Sequence, residues 1–409
     1  MKKTIYIMLC SLILAGALAG CSARPEPPDA TSAPAQTPSA DLTAKRQAAF
    51  EKADALAAGY YYDDALAALE AFKSEAGGDG QTEDKLAEIK AAKAGLVNYT
   101  GDIPHIFFHS LIVYPEMVFK DKTTPMGGYN AGFSEKAEIE KILPELYKRG
   151  YVLYDLDKCW TKVDGKMTRQ DIMLPEGKKP LILSVDDVAY AYGDGFAQKL
   201  IVKDDGSLVN LVKNPQGQTE EMADGDVQGV VDAFVKEHPD FSYQGHKGTF
   251  ALTGYQGAFG YSYDTEEGRA DIKNVVAALK ADGWNFASHS YTHNRDRYYG
   301  PGSKPENIRY DINKWNALVR PCLGDTRLFI APFGYRVKEP GLQYVLDGGF
   351  DIYCTVNNKI INELYDDYAL MSRIEISGYS MTYYKTLLRD NFFDPDTALD
   401  TASRPPVTA

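Results

Sequence analysis

The chain has 409 residues, 44% of them apolar and 25% charged, enough for one large domain with a smaller element beside it. Its formal net charge of −13 repels a phosphate backbone, which sets nucleic acid aside as a partner, and an acidic body has no basic patch to press onto anionic lipid. Five cysteines with no CxxC spacing exclude a disulfide scaffold and a zinc–thiolate site.

Residues 1–20 read as a signal peptide: Lys2 and Lys3, then the apolar run from Ile5 to Leu18, closing on Leu18-Ala19-Gly20-Cys21. The run is too short for a comfortable membrane span. The small residues before Cys21 resemble a bacterial lipobox, which implies an acylated Cys21 holding an exported protein at the outer face of the cell membrane. An ordinary secretory signal with a chance cysteine is the alternative, and export follows on either reading. Cys10 leaves with the signal, so Cys159, Cys322 and Cys354 remain as small buried hydrophobes with at most one disulfide among them. Residues 21–41 carry Pro25, Pro27, Pro28, Pro34 and Pro38 amid Ser, Thr and Ala, a composition that forms an extended tether.

Residues 42–98 are Ala-rich and helical in pattern, and Ala57 to Leu66 looks like the helix-turn-helix of a tetratricopeptide unit. One unit cannot bury its own face, so the expectation is a small α-helical hairpin that acts as a spacer or meets an unknown protein partner.

From residue 99 to 390 short apolar runs alternate with helical stretches, the texture of an α/β domain. Ile106 to Val113, Tyr151 to Tyr154, Pro180 to Ser184, Lys247 to Leu252 and Trp284 to Ser288 read as strands; Glu135 to Arg149, Asp226 to Lys236 and Asp271 to Ala281 read as helices. Strand–helix–strand units with polar residues at the strand ends suggest a parallel barrel. Gly195 to Gly225 breaks the rhythm with two apolar runs around Asp204-Asp205-Gly206, which predicts an inserted β-hairpin. Residues 391–409 are expected to be a disordered tail.

Two features carry chemistry. Asp186 and Asp187 follow Leu181-Ile182-Leu183, where a strand opens into its loop, and adjacent carboxylates on a strand end are expected to point apart. Such a pair alone is commonplace and usually marks a solvated turn. His289 and His293 stand four residues apart after another strand, so both imidazoles can face one ion at about 2.0–2.1 Å if the loop turns. Taken alone, they can equally be two unrelated polar loop residues.

Together, Ser184-Val185-Asp186-Asp187 and Ser288-His289-Ser290-Tyr291-Thr292-His293 resemble the first two motifs of the polysaccharide deacetylase family, also called NodB-homology or carbohydrate esterase family 4. Lys247 to Leu252 and Ile330-Ala331-Pro332-Phe333-Gly334 match that family in order and surroundings, and the resemblance runs from Ile103 to Tyr384. It implies a distorted parallel (β/α) barrel of the NodB type. It further implies Asp187, His289 and His293 as ligands of a divalent metal, zinc first and cobalt, nickel or manganese within reach, with Asp186 as general base. The Phe333 N–H, set by Pro332, would receive the oxyanion, and Tyr291 would border an acetylated polysaccharide substrate.

The chain departs from the family pattern in three places. No histidine follows His293, Ile330 stands where an arginine would orient the base, and the Asp-Trp motif expected near Thr355-Val356-Asn357 is missing. A subgroup resembling the poly-N-acetylglucosamine deacetylases carries its acid histidine on an early strand, and Ile106-Phe107-Phe108-His109-Ser110 fits that context. This makes His109 the candidate acid, against the reading of a polar strand cap; His105, at the start of the strand, ranks lower. Arg373 is the candidate to replace the missing arginine. The resulting expectation is a hydrolase of linear amides that removes N-acetyl groups from an extracellular or cell-wall amino sugar polymer. An O-acetyl esterase and a non-catalytic glycan-binding lipoprotein are the alternatives.

Overall fold

The structure is a computed structural model that describes residues 40–120 and 128–408. The signal segment, Cys21 and the tether as far as residue 39 lie outside those residues. No helix among the described residues is long and apolar enough to cross a membrane.

The expected helical hairpin is instead a unit of three helices, α1 (Ala40–Ala58), α2 (Tyr62–Ala76) and α3 (Gly80–Ala94). Asp79 caps α3, its carboxylate accepting from the Thr82 amide at 2.9 Å, so Gly77 to Asp79 is a turn between helices. The third helix supplies Leu86 and Ile89, which close a core over Ala53, Ala65 and Leu69 that two helices would leave open.

Seven strands form the barrel: β1 (His105–Phe108), β2 (Lys179–Asp186), β3 (Gly248–Leu252), β4 (Trp284–Ser288), β5 (Leu328–Ile330), β6 (Ile352–Val356) and β7 (Ala369–Glu375). They pair in chain order, every pair parallel, and β7 returns to β1 to close the ring. The ring is uneven: β4 and β5 meet in register only at Ser288 and Phe329, and Tyr151–Leu153 lies beside the first half of β2. These strands are largely apolar on both faces because both are covered. Ile182, Ala251, Ala287, Ile330, Cys354 and Met371 fill the interior, while Leu181, Leu183, Phe250, Phe286 and Phe329 pack outward under the helices. Cys159, Cys322 and Cys354 are buried free thiols.

The helical unit docks at the end of the barrel where the strands begin. Gln244, in the turn leading into β3, donates its amide to the Gly59 carbonyl at 2.9 Å, and the Tyr60 ring stacks on Tyr243 at 5.3 Å. The opposite end, where the strands finish, carries the loops that matter below.

Two expectations need correction. The insertion is a three-stranded antiparallel sheet, Ala197–Val202, Leu208–Lys213 and Thr219–Met222, because Asn214 to Gly217 makes a second tight turn after the one at Gly206. The C-terminal segment is ordered at least to residue 408, with a short helix at Pro395–Ala398. Its anchor is Arg404, whose buried guanidinium bonds the Glu138 carboxylate at 2.7 and 3.0 Å and the Asn130 carbonyl at 2.7 Å. A charge so fully satisfied holds a chain whose composition alone looks unstructured.

Candidate active site

Asp186 ends β2 inside the mouth of the barrel, 2% exposed. Asp187 leaves the strand with φ 55°, and this left-handed step turns its carboxylate back toward the same point instead of away. The expectation that the pair points apart is therefore overturned: His289 Nε2 lies 3.6 Å from Asp186 and 4.0 Å from Asp187. Ser290, His293 and Phe333 also have positive φ (67°, 41° and 56°), so non-glycine strain, on the order of 1–3 kcal/mol per residue, gathers at this one place.

The loop after β4 is held from below. Asp311, buried on the helix Pro305–Leu318, accepts from the amides of Tyr291 and Thr292 at 2.5 and 3.1 Å and from the Thr292 hydroxyl at 2.7 Å. The Ser290 hydroxyl accepts from the His293 amide at 2.9 Å, completing the turn that stacks His293 near His289, ring centroids 4.9 Å apart. Neither contact was legible in the sequence, since nothing marks Asp311 among so many acids.

His289 donates Nδ1–H to the Ile330 carbonyl at 2.7 Å, which leaves the lone pair of Nε2 facing the carboxylates. His293 Nε2 lies 3.5 Å from Asp187. One donor atom each from Asp187, His289 and His293 falls within 4.8 Å of the others. Ligands of a tetrahedral zinc stand about 3.3 Å apart, so small side-chain adjustments bring this set to bonding distance. Burial lowers the pKa of both imidazoles, His293 to about 4, and raises that of Asp187, against the pull of His289. Neutral imidazoles beside a carboxylate in a site that resists lone charge are the donor set a divalent cation fits.

Burial would likewise push Asp186 up, but the Arg373 guanidinium and then His289 outweigh it and hold the carboxyl well below its usual range. Arg373, on β7 and 1% exposed, donates to both carboxylate oxygens at 2.7 and 2.9 Å. This is the residue the sequence offered in place of the absent arginine. Behind it the Ser184 hydroxyl lies 3.2 Å from Arg373 and 2.8 Å from His105 Nε2, so His105 sits fully buried beneath the site.

His109 follows the end of β1 and faces the same cavity, which measures about 280 Å³ and is walled by Asp186, His289, His293, Phe333 and Glu375 among others. Its Nδ1 donates to the Gly132 carbonyl at 3.0 Å, which leaves Nε2 for the pocket. Glu375, at the end of β7, stands 3.8 Å from that Nδ1 and was missed in the sequence; it is two residues beyond Arg373 on the same strand face. The Phe333 amide meets no acceptor among the described residues, and its ring lies 4.4 Å from His293.

Two expected residues are not brought to the cavity wall. Pro332 is buried beneath the turn that presents Phe333. Tyr291 packs over Gly254, where an added Cβ would stand 2.1 Å from its ring, and under Lys314 at 4.2 Å. Asp311 pulls the Tyr291 amide toward the helix and takes the side chain with it.

No family model and no curated protein matches this chain. Among solved structures it is similar to a deacetylase from Streptococcus pyogenes in complex with acetate, at 14% identity over 68% of this chain and 93% of that one, TM-score 0.40. It is also similar to a de-N-acetylase from Aggregatibacter actinomycetemcomitans, at 14% identity over 70% and 100%, TM-score 0.41. A deacetylase domain from Bordetella bronchiseptica follows at 11% identity over 68% and 99%, TM-score 0.33. Likenesses this slight leave the function of the chain to be read from its own site.

Proposed function

We propose that the chain is a metal-dependent deacetylase that hydrolyses N-acetyl groups on an extracellular or cell-wall amino sugar polysaccharide, with zinc as its ion and acylated Cys21 as its anchor at the outer face of the membrane. The observation that carries the activity is the convergence of Asp187, His289 and His293 beside a second carboxylate, Asp186, that Arg373 locks in place. A pure binding site has no chemical need for that fourth, ionised group. The lipobox-like sequence before Cys21 supports the location.

A divalent ion held by the three ligands supplies Lewis acidity toward the amide carbonyl and makes nearby water more acidic. Asp186, ionised and aimed by Arg373, takes the proton of the attacking water. The Phe333 N–H, without an internal acceptor, donates to the carbonyl oxygen as negative charge develops there. His109 gives a proton from Nε2 to the leaving amine, its ring oriented by Gly132, with Glu375 placed to offset the charge of the protonated imidazole.

The test is metal content and acetate release from N-acetylglucosamine oligomers, comparing wild type with Asp186→Asn. Bound metal in both proteins with acetate release only in wild type supports the reading. Release confined to O-acetylated glycans makes the chain an esterase, and the absence of both metal and acetate release makes it a glycan-binding protein.

A further inference from the structure

His109 owes its orientation to a carbonyl on another loop. The imidazole donates from Nδ1 to Gly132 at 3.0 Å, and the ring of Phe133 packs beside it with centroids 5.2 Å apart. Gly132 and Phe133 stand at the end of a single helical turn, Tyr129–Gly132, which is too short to hold itself.

What fixes this turn comes from the other end of the chain. Arg404 donates from Nη1 to the Asn130 carbonyl at 2.7 Å and from Nη2 to the Phe133 carbonyl at 3.2 Å, so one guanidinium brackets the Gly132 carbonyl from both sides. Asn130 adds its own side chain: Oδ1 accepts from the same Nη1 at 3.1 Å, and Nδ2 donates to the carbonyls of Pro405 and Pro406 at 3.0 and 3.1 Å. The guanidinium is held in turn by Glu138, which accepts from Nε at 3.0 Å and from Nη2 at 2.7 Å. Asn130 and Arg404 are both buried, so water does not compete for these bonds. The ion pair with Glu138 would by itself anchor the tail; the remaining donors go to the turn that carries Gly132.

We infer that Arg404 is a positioning residue for His109: the C-terminal segment fixes the Gly132 carbonyl, which keeps the Nδ1–H in place and Nε2 aimed into the cavity. The inference rests on the reading of His109 as the group that protonates the leaving amine. Without the clamp the Gly132 carbonyl shifts, and the ring is free to turn toward Glu375, whose carboxylate lies 3.8 Å from the same nitrogen. A misplacement of about 1 Å costs a reacting group up to about a hundredfold in rate.

The experiment is a double-variant cycle. Arg404→Lys keeps a positive charge beside Glu138 but lacks the fork that spans two carbonyls. Asn130→Ala keeps the ion pair and loosens the turn from the tail, and it decides the matter where a thermal melt shows Arg404→Lys unfolded. Each is made alone and together with His109→Ala. Alone, each is expected to lower kcat for acetate release from N-acetylglucosamine oligomers about ten- to a hundredfold, with KM within about twofold of wild type. In the His109→Ala background the same change is expected to cost nothing further, because the group it positions is gone. An equal loss in both backgrounds overturns the inference, as does no loss where His109→Ala alone is impaired. NMR of the His109 ring nitrogens reads the positioning without catalysis: in wild type the neutral ring carries its proton on Nδ1, and the variants are expected to lose that single tautomer. An unchanged tautomer overturns the inference. If the tautomer changes while His109→Ala keeps full kcat, or while wild type releases no acetate at all, the acid reading fails and the positioning stands.

Discussion

Arg373 and Asp186 are joined across the barrel mouth by two parallel hydrogen bonds, one to each carboxylate oxygen, although 187 residues separate them in the chain. In the family that the sequence resembles, an arginine would be expected on the strand that here ends at Ile330; in this chain the Ile330 carbonyl orients His289 and the positive charge beside Asp186 comes from β7.

Replacing Arg373 by Met leaves a buried carboxylate without its counter-charge and without its orientation. Acetate release is expected to fall by about 10²-fold or more, and Arg373→Lys to recover only part of it, since an ammonium cannot make the bidentate contact. Steady-state kinetics on an acetylated oligomer check this; equal rates in Lys and Met variants would mean that geometry counts for nothing there.

One metal ion per chain is expected by elemental analysis. Asp187→Ala or His293→Ala should lower the bound metal to background, whereas His109→Ala retains it. Dialysis against a chelator should abolish acetate release, and added zinc should restore it. Full activity in the chelated protein would rule the metal reading out.

His109→Ala is expected to cost about 10²–10⁴-fold in kcat with KM little changed, the signature of a group that acts on the leaving amine. Glu375→Gln keeps the shape of the wall but removes the charge near His109, and a loss of about tenfold in kcat is expected. A KM effect alone would move His109 from proton transfer to binding.

The C-terminal anchor carries its own predictions. Arg404→Ala strands Glu135 and Glu138 in a buried site, an expected loss of about 3–5 kcal/mol that a denaturant melt measures. Burial first, and then the neighbouring Glu138 charge, push the Glu135 carboxyl up to about 7 from 4.5, against Ser403 and Arg404. A raised carboxyl holds its proton more tightly in the folded chain, so the stability it contributes is whole below about pH 4.5 and is lost as the pH climbs through about 7. Between pH 5 and 8 wild type should therefore lose more stability than Glu135→Gln, by on the order of 2 kcal/mol. Parallel curves for the two proteins would refute this.

The parallel barrel could be read from the apolar runs because strands covered on both faces are predominantly apolar, and Leu181-Ile182-Leu183 says so without a partner in view. The site was legible where chemistry and spacing coincide, at Asp186-Asp187 and His289 to His293. It was illegible where backbone geometry decides, as in the left-handed step at Asp187 that brings two neighbouring carboxylates together. Asp311 and Glu375 act through contacts that close only in three dimensions. The tail read as unstructured because its anchors are Arg404 and a few polar contacts, such as those of Asp400 with Glu138 and of Asn130 with the Pro405 carbonyl, which composition averages away.

The three-helix unit meets the barrel at the end where strands begin, and the cavity opens at the end where they finish. Helix α1 runs from Ala40 to Ala58, a rise of about 28 Å, and it is the far end of this helix that meets the barrel. If Cys21 is the anchor, as proposed, its pull would enter the molecule through this helix, at the end of the barrel away from the cavity. The mouth would then face away from the attachment, and the reach of the site would be measured outward and not along the membrane surface.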